Sequence, residues 1–233
     1  MKSIQFAIAA EEKYKRDRLV GIDNEPLIGL LEQLGYTDLE EYFEEKRIYQ
    51  SREAGLSVYT SNVSNAVNTL ISLITNKVCS ILLVDCEEFF VYHGSEPYDR
   101  DYCNEHHINV YEVGHTGGTI VGSPGDSSIG FILPEYIDIN SDWILNKFRD
   151  TLSKYFDDVR VDNNDIVLNG KKVLGSAVLR MNGMFAFVAH IAFTDSAELI
   201  SSICKVEANK VPGFIPSNLS RDTLYNEVIS WLL

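Results

Sequence analysis

The chain has 233 residues, 45% of them apolar, and a formal net charge of −14. That is enough for one large domain or two small ones with a sizeable core. The acidic balance argues against a nucleic-acid surface, which needs a basic patch, and against adhesion to anionic membranes; no run of 18 apolar residues reads as a membrane span.

In chain order, MKSIQFAIAAEEKYKRDR reads as a strand entering the fold rather than a signal peptide, because charges follow its short apolar stretch at once. The rest of residues 1–60 reads as helical. EPLIGLLEQLG puts Leu27, Leu30, Leu31 and Leu34 on one face, with Gly35 as the stop. TDLEEYFEEKR opens with a capping box of Thr37 and Glu40, carries Leu39, Tyr42 and Phe43 as its apolar stripe, and turns its acids to solvent. SNVSNAVNTLISLIT has apolar residues at 63, 66, 67, 70, 71 and 74, an amphipathic helix.

Strands follow at CSILLVD, EEFFVYHG and, after YDRDYCNEHH, INVYEVG. HTGGTIVGSPGDSSIGFIL is glycine-rich and ends in a strand; its glycines allow close backbone approach to a ligand and let N–H groups converge on an anion. It matches neither a P-loop nor a dinucleotide fingerprint, and by itself is equally compatible with a plain hairpin loop. SDWILNKFRDTLSKYF is a helix with Ser141 as N-cap and Leu145, Phe148, Leu152 and Phe156 buried.

In NNDIVLNGKKVLGSA, Asn169-Gly170 is a two-residue hairpin turn. Leu168 then faces Lys171, Val167 faces Lys172, Ile166 faces Val173 and Asp165 faces Leu174. Asp165 and Lys172 share one face as diagonal neighbours, and Lys171 points to the other. Spacing alone favours a surface ion pair. MFAFVAHIAFT is a buried strand in which His190 reads as a core histidine. DSAELISSICK is a helix in which Cys204 reads as packing, and SRDTLYNEVISWLL is a closing amphipathic helix.

Cys79, Cys86, Cys103 and Cys204 form no C-x-x-C pair, which fits a reducing, cytoplasmic setting, and nothing has zinc spacing. Hairpin-linked strands mixed with helices predict an α+β fold with a single main mixed or antiparallel sheet flanked by helices. The simplest division is an N-terminal helical elaboration, 1–60, packed on a core of 61–233.

A Gly-Gly loop, then N-D-I, a turn, Lys-Val-x-Gly-Ser-Ala and an apolar strand with histidine form a more specific combination than any part. Over roughly residues 60–215 it resembles the lipoate–protein ligase and octanoyltransferase family of the biotin/lipoate protein ligase superfamily. NNDIVLNGKKVLGSA resembles the family's hairpin, HTGGTIV its acyl-binding loop, and VAHIAF a later strand; SPG and NDI also occur in the biotin branch, a remoter likeness.

The resemblance implies a ligase-like catalytic domain that activates lipoate or octanoate with ATP and magnesium. The acyl group then passes to a lysine of a lipoyl carrier domain. It implies that Lys172 is the catalytic amine on the acyl carbonyl and phosphate oxygens, and that Asp165 holds the nucleotide–metal region or orients Lys172. Gly117, Gly118, Thr119 and His190 would contact substrate or nucleotide, and Gly175, Ser176 and Ala177 would line a narrow acyl tunnel. Octanoyltransferases use a cysteine thioester instead, and Cys204 is placed loosely like that cysteine. Gly114 and His115 stand where the family usually begins its loop with arginine, Ser123 stands near a family histidine, and Ile191 follows His190 where glycine is usual. These departures keep open a non-catalytic binding module, a transferase with a changed donor or a catalytic chain with an accessory subunit.

Overall fold

The computed structural model describes residues 3–17, 25–113, 118–205 and 212–233. Its main sheet has seven strands in the order β1 (Ser57–Asn62), β2 (Ser80–Asp85), β6 (Ser127–Pro134), β10 (Met184–Ile191), β9 (Lys171–Met181), β8 (Asp165–Leu168) and β7 (Val159–Asp162). β1 and β2 run parallel and every other neighbouring pair is antiparallel, so the sheet is mixed, as expected. A second sheet, which the sequence reading did not anticipate, orders β4 (Asn109–Glu112), β3 (Phe90–His93) and β5 (Ile120–Gly122). The helices are α1 (Ile4–Asp17), α2 (Glu25–Gln33), α3 (Leu39–Glu53), α4 (Val63–Thr75), α5 (Arg100–Glu105), α6 (Ser141–Leu152), α7 (Ala197–Cys204) and α8 (Arg221–Ser230). Among the described residues, no helix is long and apolar enough to cross a membrane.

The two faces of the main sheet are filled differently, because successive side chains point to opposite sides. In β10, Phe185 and Phe187 join Phe131 of β6 and Phe148 of α6 in the larger core. Trp231 caps it, stacked on Phe131 at 5.9 Å and edge-on to Phe148 at 4.9 Å between ring centroids. The opposite face of β10 presents Ala186, and the smaller core there brings in α4 and the second sheet. The Tyr92 hydroxyl donates to the Val63 carbonyl at 2.8 Å, tying β3 to the start of α4. Aromatic side chains fill one face; small ones leave space on the other.

Several local expectations are corrected. Residues 4–17 form a helix, not a strand. Its Glu11 is buried and accepts from the Tyr42 hydroxyl (2.5 Å) and the Lys46 ammonium (2.7 Å) of α3. A charged residue on the buried side of the helix obscures its apolar period. The N-cap of α3 is Asp38, which accepts the Glu41 N–H at 2.8 Å, while the Thr37 N–H and hydroxyl donate to the Glu41 carboxylate; Thr37 and Glu40 form no capping box. Residues 57–60 lie in β1 rather than in a helix. The N-cap of α6 is Asn140, not Ser141, and the helix ends at Leu152, so Phe156 packs on the core from beyond it. The 169–170 turn forms with positive φ at both residues, but a bulge shifts the pairing beyond it.

Candidate active site

The bulge sets the site geometry. Lys171 and Lys172 pair with Leu168 and Val167 as expected, but Ile166 pairs with Leu174 and Asp165 with Gly175. Val173 is the extra residue, and it and Leu174 are both buried. Asp165 therefore faces Gly175, not Leu174. Lys172 Nζ reaches Asp165 Oδ1 at 2.9 Å, with both side chains partly exposed. A Cβ at Gly175 would stand 2.6 Å from Lys172 Cε and 2.8 Å from Nζ, so the missing side chain is what lets the lysine lie across the strand. Gly175→Ala is expected to push the amine off Asp165 and lower turnover at least about tenfold. The flexible lysine end can move aside, so the melting temperature should stay near that of wild type. Parallel turnover and melting measurements check this.

Cross-strand pairing extends the site over the sheet. Gly175 pairs with His190, His190 with Ser128, and Ser128 with Val84. One step on, about 7 Å away, Ala177, Val188, Gly130 and Leu82 form a second row; Leu179 and Ala186 lie in a third. The first row is polar, with Lys172 beside it, and the next rows are apolar. These rows line a cavity of about 460 Å³, with α4 supplying Ala66, Val67 and Leu70, and β5 supplying Ile120 and Val121. The cavity is amphipathic: the Lys172 amine and the His190 imidazole at one end, hydrocarbon walls beyond.

The His190 side chain is 11% exposed. Its Nδ1 lies 3.1 Å from Ser128 Oγ and its Nε2 3.6 Å from Asp126 Oδ2, too long for a hydrogen bond. Phe90 packs edge-on against the ring. The expected core histidine therefore also faces the cavity. Asp126, missed in the sequence, is 1% exposed. Its Oδ1 accepts the N–H groups of Phe193 (2.8 Å) and Thr194 (2.9 Å), and its Oδ2 accepts that of Ser123 (2.9 Å). It thereby clamps the β5–β6 turn to the segment after β10. The only local signal was its place after Pro124-Gly125, which reads as an ordinary turn.

Gly118 and Thr119 reach the cavity beside Glu96, whose carbonyl accepts the Thr119 hydroxyl at 2.5 Å. Gly117 lies outside the described residues, with Gly114, His115 and Thr116. Ala177 lines the cavity floor; Ser176 touches the cavity but commits its hydroxyl to the Asn164 carbonyl at 2.6 Å.

Cys204 also borders the cavity, but burial first, then Glu96 and Cys103, push its thiol up. Cys86 is buried, and burial, with Asp126 next, pushes its thiol up to about 12. Because the raised value disfavours thiolate, Cys204 is expected to alkylate more slowly than a free cysteine at pH 8. Its rate should keep climbing above the usual thiol range. Iodoacetamide labelling followed by peptide mass mapping across pH checks this.

Residues 92–221, more than half of the chain, match the family described as the lipoyl protein ligase A/B catalytic domain. The chain belongs to this family. No curated protein sequence matches it. Among solved structures, this lipoyl ligase-family chain is similar to P. falciparum LipL1 in complex with lipoate, at 15% identity and a TM-score of 0.62 over 76% of this chain and 61% of that one. It thus spans about three fifths of that protein's length. It is also similar to a bi-partite lipoate protein ligase solved as part of a lipoylation system with its E2 lipoyl domain from Thermoplasma acidophilum (16% identity, TM-score 0.55, 75% of this chain and 80% of that one). A third similar structure is a lipoate-protein ligase A bound with ATP (16% identity, TM-score 0.57, 76% and 82%). These likenesses show a shared fold.

Proposed function

We propose that this chain transfers a lipoyl or octanoyl group to the lysine of a lipoyl carrier domain through an acyl-adenylate. The observation that carries this is the amphipathic cavity, with Lys172 held at its polar end over Gly175 and small residues lining its apolar floor. A medium-chain acid fits such a space with its carboxyl group beside the amine and its tail on the hydrocarbon rows. There Lys172 offsets charge on the acyl carbonyl as it becomes tetrahedral, a stabilisation that is large in a partly dehydrated site. Asp165 holds the amine in place. Gly118 and Thr119 approach the acyl group and nucleotide from the other side.

ATP would supply the activation: the acyl carboxylate attacks its α-phosphorus, pyrophosphate leaves and the acyl-adenylate results. Magnesium is ordinarily held by one or two carboxylates together with substrate phosphates, and Asp165 is the partly exposed carboxylate of the polar row. Asp126 does not suit that role, because both its oxygens already accept backbone N–H groups. The carrier lysine, as the neutral amine, then attacks the activated carbonyl, AMP leaves and the amine proton is lost to solvent, so no enzyme-bound acyl group is needed and the raised thiol of Cys204 is no obstacle. The likeness to a bi-partite ligase supports a second subunit as partner.

The test is the intact mass of an unmodified lipoyl domain after incubation with this protein, either with lipoate, ATP and magnesium or with an octanoyl carrier protein. A lipoyl mass gain is expected with lipoate, ATP and magnesium, abolished in Lys172→Ala; a gain only from the octanoyl carrier protein would replace the acyl-adenylate with direct transfer from a thioester donor. Gly114 and His115, standing where the family has arginine, favour the second reading, a binding module without catalysis. No gain from either donor, alone or with a partner subunit, would select it.

A further inference from the structure

Gly130 lies in the interior of β6, where glycine weakens a strand and normally answers a local need. Two such needs are absent. Its backbone is not in the left-handed region, so no turn requires it. No neighbour forbids a side chain either: a Cβ there would sit 3.5 Å from Leu82 Cβ and Ile132 Cδ1 and 3.6 Å from Val188 Cγ1, ordinary contact distances. Gly122 differs, since a Cβ there would fall 2.3 Å from the Phe90 ring. What glycine at 130 does provide is empty volume in the cavity, in the second row, between Val188 and Leu82.

We propose that Gly130 is the gauge that sets acyl-chain length, with the distal part of the chain lying over β6 rather than continuing along β9. This rests on the acyl-transfer reading for the kind of ligand, but it concerns where the chain lies and which residue limits it. Ala186 keeps the floor low on the neighbouring β10 and Ala177 does so on β9 beyond it, while Leu82 and Leu70 border the far side. A side chain added at 130 would occupy the volume that the outer methylenes fill. Each methylene denied burial lowers affinity roughly fourfold.

The experiment measures binding of butyrate, hexanoate, octanoate and lipoate by calorimetry, with a non-hydrolysable ATP analogue present, for wild type, Gly130→Ala, Gly130→Val and Gly130→Leu. Melting curves run alongside. Wild-type affinity is expected to climb with chain length. In Gly130→Leu the octanoate-to-butyrate affinity ratio should fall at least about tenfold, with Val and Ala in graded order and Ala melting no lower than wild type. An unchanged ratio in Leu overturns the gauge; if Leu does not fold, an unchanged ratio in Val does so. Wild-type binding that ignores chain length, or is absent, overturns it as well. Carrier acylation by wild type is scored separately. Acylation with unshifted selectivity in the variants sinks the gauge alone; graded binding without acylation upholds the gauge and sinks transfer.

Discussion

Lys172→Ala is expected to lower carrier acylation at least about 100-fold while moving the melting temperature by no more than about 3 °C. The two effects separate because the Lys172–Asp165 pair is partly exposed, where such pairs contribute little to stability. In the proposed reaction its value would come from a fixed cation beside a carbonyl that gains charge, inside a cavity with apolar walls. Lys171→Ala is the control, since that residue pairs with Leu168 and packs against Gly213 instead of crossing Gly175. It should acylate within about twofold of wild type. Mass spectrometry of the carrier domain and a thermal melt decide the matter. Equal activity in Lys172→Ala and wild type would remove Lys172 from the chemistry.

The largest stability effect is expected at Asp126. Its carboxylate accepts three backbone N–H groups in a nearly water-free setting. Alanine leaves those donors unpartnered, each at a cost of about 1–3 kcal/mol. A loss of about 3 kcal/mol or more would lower the melting temperature by roughly 6–12 °C for a chain of this size. Asp126→Asn keeps one carbonyl acceptor and should lose clearly less. Calorimetry on both variants checks the order, and an alanine variant melting within about 2 °C of wild type would show that the clamp is not needed. Acylation should fall in both variants, because His190 and Thr194 border the cavity and depend on the same clamp.

Turn chemistry and strong periodicity were legible in the sequence. Asn169-Gly170 takes the positive-φ turn that its residue types favour; α8 follows its apolar pattern, and α4 does so except that Ile71 of the expected stripe is exposed and Leu73 is buried instead. Errors arose where neighbours far along the chain decide. The first helix was missed because Glu11, on its buried side, is neutralised by Lys46 and Tyr42 more than 30 residues away. The cap of α6 slipped by one because Asn140 and Ser141 are both good capping residues, and only the extended backbone at Asn140 selects between them.

The same division runs through the candidate site. The residue types at 165, 172 and 175 were readable as a hairpin that brings an acid and an amine to one face, because turn type and strand alternation are local properties. The bulge at Val173, which replaces Leu174 with Gly175 opposite Asp165, was not readable. It arises as Val173 and Leu174 both bury in the larger core, a demand set by the packing of the whole sheet. Nor could local pattern show that Ser128, His190 and Gly175 stand in one row, or that Asp126 binds three backbone groups. Those depend on the pairing of β6, β10 and β9, strands drawn from stretches up to about 60 residues apart. By itself the sequence determined the α+β composition, the hairpin and the chemistry available on it; only the tertiary structure decided which side chains meet, because strand order and register are fixed by burial across the sheet and not by neighbours in the chain.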